Sequence, residues 1–151
     1  MFHRAIKLEL KEGTTLELTF QTGEVKAYDM AALFPKYPQL EALKNRELCL
    51  SGKLMGSYGI VWNDDLDIEA ETIYEDGVTV RQEKVPINFK VANAVASARS
   101  AAGKFQTELA ALTGIDQSDI SKIERGTANP SIATLNRITE ALGKELQISI
   151  N

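Results

Sequence analysis

The side chains best suited to chemistry gather near the C-terminal end. Gln117, Ser118, Ser121 and Lys122 are spaced three and four apart, so a helix would carry them on one face. An amide, two hydroxyls and an ammonium are the groups that read base edges and phosphates in a major groove. The competing reading is a solvated face on a helical domain that packs against a partner. Other candidates are weaker. From Asp64 to Asp76 there are seven carboxylates and no base. Their spacing is not that of a calcium loop and no glycine sits in the middle. The run reads as a solvated acidic edge or, at Asp64, Asp65, Asp67, Glu69 and Glu71, as a docking surface for a small basic protein. His3 is the single histidine, so no histidine-based metal site is expected. Cys49, between Leu48 and Leu50, reads as a buried inert thiol in a strand. Gly52 to Gly59 lacks the Gly-Lys-Ser/Thr ending of a phosphate loop and reads as a turn, and Trp62 reads as core. One histidine and one cysteine supply no nucleophile–base set. No catalytic residue, metal, cofactor or enzymatic activity is expected.

The elements that must position these residues divide the chain. Residues 1–84 hold 10 basic and 15 acidic side chains, and residues 85–151 hold 7 and 6. The whole-chain charge of −4 therefore belongs to the first half. The hydrophobic period changes at the same place. Ile6, Leu8 and Leu10 alternate with Lys7 and Glu9, and Leu16, Leu18 and Phe20 with Glu17 and Thr19. These runs predict half-buried strands at 4–10, 15–21 and 24–28 in a meander. Asp29 caps a short helix over Met30–Phe34, and Gln39–Lys44 forms another helical turn. Further strands are expected near 46–53 and 58–62, with a short helix at 70–75. From Val91 the period is helical, with segments at about 90–101, 106–113, 117–124 and 131–142. Leu146, Ile148 and Ile150 then return to strand spacing. The expected architecture is α+β: a small antiparallel-sheet domain over 1–80, a linker over 81–89, and an all-α domain over 90–151 with a short C-terminal strand.

A helix that presents the Gln117 face needs a partner helix crossing it closely. Leu109-Ala110-Ala111-Leu112 supplies small residues for the crossing, and Gly114 tolerates the positive φ of a tight turn. Ile115 plugs the crevice between the helices. Asp116 caps the second helix with Asp119 in its first turn, and Ile120 and Ile123 face inward.

This pattern resembles the phage-repressor and Cro-like helix-turn-helix family over about Val91 to Leu146. Gln106-x-x-Leu109-Ala110, Gly114-Ile115, Ile120 to Gly126, Asn129-Pro130-Ser131 and Leu135…Ala141-Leu142-Gly143 stand in family order. The resemblance implies that Gln106 opens its helix against a phosphate and that Gln117, Ser118, Ser121 and Lys122 face bases. It implies that Thr127 and Asn129 contact the DNA backbone, and that Arg99 and Glu124 tie two helices together. Two departures stand out. Lys104 and Phe105 replace the usual apolar residue and Ser/Thr/Asn cap, so either Phe105 fills the apolar site after a small shift or Lys104 adds a phosphate contact. Thr127-Ala128 stands where relatives often carry a base, leaving Lys104, Lys122 and Arg125 to hold phosphates. The tail from Lys144 to Ile150 is similar to that of host-inhibition-of-growth antitoxins, and its free edge is suited to pairing with its twin.

The first half resembles a small bacterial domain of unknown function over about residues 3–77. The likeness rests on the opening meander, Tyr58 to Trp62, Asp65-Leu66-Asp67-Ile68 and Glu71 to Gly77. It implies a fold and no chemistry, and some relatives lie beside a small partner gene. The 44% hydrophobic and 25% charged content is ordinary for a globular protein. The start, MFHRAIKLELKEG, has no signal-peptide core, and no run approaches the ~18 apolar residues of a membrane span. A cytoplasmic, dimeric, sequence-specific regulator of double-stranded DNA, repressor-like with its recognition helix at about 117–124, is the expected function. The alternative is an antitoxin-like protein that neutralises a small basic partner and autoregulates.

Overall fold

The computed structural model describes residues 3–151. The chain forms two units, one ending at Lys84 and the other running from Val85 to Asn151.

The N-terminal unit contains two antiparallel sheets. The first has the order β1-β2-β3-β7, from β1 (Ala5–Leu10), β2 (Thr15–Phe20), β3 (Glu24–Asp29) and β7 (Val78–Gln82). The second has the order β4-β5-β6, from β4 (Lys53–Met55), β5 (Gly59–Asn63) and β6 (Leu66–Glu69). The register sets Leu8 opposite Leu18 and Leu10 opposite Leu16, which brings the alternating apolar residues of the meander to one face. Leu16, Leu18 and Phe20 are fully buried there, together with Met30, Leu43, Ile60 and Ile73. Asp29 caps the 3-10 turn Met30–Leu33 by accepting the Ala31 N–H at 3.0 Å. A second 3-10 turn spans Pro38–Lys44.

Three parts of this unit differ from the sequence reading. The strand expected near 46–53 is instead helix α1 (Arg46–Leu50), followed by β4. A short apolar run does not separate strand from helix by period alone. Asn45 decides it by accepting the Leu48 N–H at 3.1 Å as an N-cap. Cys49 is therefore buried in a helix, and its carbonyl accepts the Trp62 indole N–H at 2.9 Å. The acidic run contains β6, whose Leu66 and Ile68 point inward while Asp67 and Glu69 stay exposed. The expected linker over 81–89 is shorter: β7 continues to Gln82, and the next helix begins at Ile87.

The C-terminal unit contains α3 (Ile87–Ala101), α4 (Gln106–Thr113), α5 (Gln117–Arg125) and α6 (Ile132–Ala141). Val95, Leu109, Ile120, Ile123, Ile138 and Leu142 form its core. Ile115 is half-buried against that core, in the crevice position. Gly114 ends α4 with φ 74° and Gly126 ends α5 with φ 77°. A Cβ at Gly126 would also collide with the Phe89 ring. The expected strand at the tail does not form: residues 144–151 carry neither helix nor strand. A lone strand has nothing to pair its backbone groups with.

Candidate nucleic-acid interface

The outer face of α5 carries Gln117, Ser118 and Lys122 exposed and Ser121 half-buried, while Ile120, Ile123 and Glu124 are buried behind them. Asp116 starts the helix. Its carboxylate accepts the Ser118 N–H at 2.9 Å and the Ser118 hydroxyl at 2.7 Å. The Ser118 hydroxyl, then its N–H, holds the Asp116 carboxyl below the usual range. The Ser118 proton is thus committed to the cap, and toward solvent this hydroxyl is an acceptor.

A chain of hydrogen bonds leads from the core to this face. Arg99 grips Glu124, with Nε at 2.7 Å from Oε2 and Nη2 at 2.8 Å from Oε1. Glu124 has no exposed surface. The Gln106 amide N–H₂ donates to Glu124 Oε1 at 3.3 Å, and Gln106 Oε1 accepts the Gln117 amide at 2.9 Å. A paired carboxylate only accepts, so the order dictates the orientation of both amides. Gln106 turns its N–H₂ inward and its oxygen toward Gln117. Gln117 must then offer N–H₂ to Gln106, which leaves its own oxygen and its second N–H for a ligand. A donor beside an acceptor is the pattern that meets N7 and N6 of adenine.

Of the two alternatives at the start of α4, the structure excludes the first. Phe105 is 72% exposed, so it does not fill the apolar site. Its phenyl ring cannot accept a hydrogen bond, and only the reciprocal half of a capping box forms, Phe105 N–H to Glu108 at 3.1 Å. Lys104 is half-buried, and its carbonyl accepts Arg99 Nη1 at 2.7 Å, which ties the turn before α4 to α3. Beyond α5, the Thr127 hydroxyl and N–H both donate to the Lys122 carbonyl, at 3.2 and 3.0 Å, and close the helix end. Asn129 is exposed in the loop before α6. Gln106, Gln117 and Glu124 therefore form one connected group, while Ser121, Lys122 and Asn129 stand separately around it.

The acidic residues of the N-terminal unit divide. Asp65, Asp67 and Glu69 line a polar cavity of about 280 Å³ with Tyr37, Gln39 and Thr72. Asp64 is exposed in the turn between β5 and β6. Glu71 does not belong with them. Its carboxylate accepts the His3 backbone N–H at 2.8 Å and lies 2.9 Å from His3 Nδ1. Burial pushes the Glu71 carboxyl up, but the His3 hydrogen bonds outweigh it and leave it below the ordinary value. The His3 ring also stacks on Tyr74 at 3.5 Å. Sequence reading gave His3 no role, because nothing local marks a partner 68 positions away. Among the described residues no three His, Cys, Asp or Glu side chains converge as metal ligands, and no helix is long and apolar enough to cross a membrane.

The α4–turn–α5 pair, with its left-handed glycine and inward isoleucines, defines a helix-turn-helix. Residues 95–148 match the helix-turn-helix family model of the Cro/C1 type, and residues 5–79 match a family described as a protein of unknown function, DUF2442. The chain thus joins a DUF2442 domain to a helix-turn-helix domain. No curated protein matches. One similar solved structure is a crystal structure of a proposed DNA-binding protein from Nitrosomonas europaea, with 15% identity, covering 91% of this chain and 85% of that one at a TM-score of 0.42. A likeness of that size says nothing about function.

Proposed function

We propose that the protein is a cytoplasmic, sequence-specific regulator of transcription that binds double-stranded DNA as a dimer and acts by covering a promoter. The observation that carries the reading is the polar face of α5, with Gln117 held by Gln106. Placed in the major groove, Gln117 takes an adenine through its free oxygen and N–H, and Ser118 and Ser121 face neighbouring base edges. Gln106, Lys104, Lys122, Thr127 and Asn129 hold phosphates on either side. The positive charge available is small, since the C-terminal unit carries 7 basic and 6 acidic residues. Two or three phosphate-neutralising cations per domain give a salt slope of roughly −2 to −3 per domain.

Selection of bound DNA from a random pool, followed by salt titration of the winner, tests the reading. A defined site with such a slope supports it, and a pool that never converges removes it. The second reading is an antitoxin-like protein whose N-terminal domain covers a small basic partner. It is favoured by the exposed Asp65, Asp67 and Glu69 around one cavity. Co-expression with the neighbouring open reading frame tests it, and absence of a complex and of any relief of toxicity removes it.

A further inference from the structure

The cap of α5 offers acceptors and no donor. Asp116 and Ser118 are both exposed, at the end of the helix that a helix-turn-helix directs toward base edges. Asp116 Oδ1 accepts the Ser118 N–H at 2.9 Å and the Ser118 hydroxyl proton at 2.7 Å. Among the described residues, Asp116 Oδ2 has no hydrogen-bond partner. The Ser118 hydroxyl, then its N–H, holds the carboxyl below the ordinary range, so at neutral pH neither oxygen carries a proton. A carboxylate accepts and never donates, and a hydroxyl whose proton is spent on it can only accept. What the pair has left for a ligand is therefore Asp116 Oδ2 and Ser118 Oγ. Asp119, the other carboxylate of the first turn, stands apart and lines a cavity with Ile115, Asn129 and Thr134.

We infer that the cap itself selects sequence: Asp116 and Ser118 together take the N4 amino group of a cytosine, at the base pair next to the one that Gln117 reads. This rests on the DNA-binding reading and adds Asp116 to the residues that choose the site. The four base edges of the major groove differ in polarity. Guanine presents N7 and O6, both acceptors, and thymine presents O4 and a methyl group. Each sets lone pairs against the carboxylate. Adenine presents one donor, N6, with the acceptor N7 beside it, so one of the two protein acceptors faces N7. Cytosine presents its N4 amino group with a C5–H beside it, and neither opposes an acceptor. An acceptor set against an acceptor away from water leaves both unpaired, which costs more than a lost hydrogen bond. Gln117, with a free oxygen and a free N–H, suits adenine instead, so adjacent residues specify different bases. A carboxylate here also weakens the attraction to phosphates for every sequence, a loss that only a base contact offsets.

Selection of bound DNA by the full chain, then titration of the winner with each base at every position, tests this. Gln117→Ala locates the pair that Gln117 reads. Beside it the wild type is expected to choose cytosine and to bind the change to guanine at least about tenfold more weakly. Asp116→Asn keeps the cap, because the amide oxygen accepts the Ser118 N–H and hydroxyl. Its other atom then becomes an N–H₂ donor, which suits guanine. The cytosine-over-guanine ratio is expected to fall at least about tenfold, with the preference at the Gln117 pair retained. Ser118→Ala keeps the backbone N–H bond to Asp116 and is expected to lower the same ratio several-fold. Helical circular dichroism checks that both variants fold. Guanine or thymine at that pair in the wild-type site would overturn the inference and leave DNA binding intact. So would an Asp116→Asn variant that binds all four bases more tightly by one common factor, since the carboxylate would then act on phosphates alone. A pool that never converges would overturn both.

Discussion

The Arg99 guanidinium holds the wholly buried Glu124 carboxylate through two hydrogen bonds, of 2.7 and 2.8 Å, across 25 residues of sequence. A third Arg99 bond, to the Lys104 carbonyl, ties the same guanidinium to the turn before α4. One side chain thus connects α3, α4 and α5. The net contribution of such a pair is small, but removing the cation leaves a charge in a dry place. Arg99→Met is expected to destabilise the C-terminal domain by about 3–5 kcal/mol. Arg99→Met combined with Glu124→Leu should recover much of that loss. Urea unfolding followed by helical circular dichroism measures both, and equal stability of Arg99→Met and wild type would contradict the assignment.

The amide relay makes separate predictions for the reader and the phosphate grip. Gln117→Ala is expected to relax preference at one base pair, losing about 1–3 kcal/mol of discrimination there. Lys122→Ala is expected to weaken all sequences alike and to lower the salt slope by about 1. Titration of both variants against a selected operator and its single-base changes separates the two effects. If both bound as the wild type does, α5 would not be the reader.

Phe105 occupies the N-cap of α4 with a side chain that caps nothing. Phe105→Ser is expected to stabilise the domain by about 0.5–1 kcal/mol, because a hydroxyl accepts a first-turn N–H that phenyl leaves to water. The exposed ring leaves no cavity behind. A thermal melt would show a raised midpoint, and a lowered one would mean that the ring packs on something essential.

The outer face of the first sheet predicts an acid-range titration. Hydrogen bonds from Lys11 and then Lys7 lower the Glu9 carboxyl to about 2. A depressed carboxyl stabilises the fold above its unfolded value and loses that contribution as pH falls through the folded value. The Glu9 contribution is therefore constant at neutral pH and disappears between the ordinary glutamate range and about pH 2. Carboxyl-carbon NMR should place the Glu9 transition near that value. Lys11→Met should move it upward, and so should 1 M salt, since this pair lies in water. A transition in the ordinary range in the wild type would show the pairs to be absent in solution.

Legibility in the sequence followed the range of the forces involved. Strands β1 to β3 were readable because Leu16, Leu18 and Phe20 alternate strictly and all face the core. The four C-terminal helices were readable because their caps and glycines, such as Asp116, Ser131, Gly114 and Gly126, act within one turn. Strand β7 was not: all five of its residues are exposed, so burial imposes no pattern on them. Helix α1 was misread because Leu48-Cys49-Leu50 suits either state, and the Asn45 cap and the Trp62 indole settle it. The sequence allowed Phe105 to fill the apolar site before α4, and only its exposure in the fold excludes that.

By itself the sequence determined which residues share the outer face of α5, where that helix starts and stops, and that the two halves bear different charge. Periodicity and capping are properties of neighbours, and a folded partner is not needed to express them. The tertiary structure alone decided which way the Gln106 and Gln117 amides point, that His3 occupies Glu71, and that the tail lies unpaired. Each of these depends on which polar groups come to share a space away from water. In the first case the buried Glu124 carboxylate, 18 residues from Gln106, accepts and never donates, and the orientation of the whole relay follows from that.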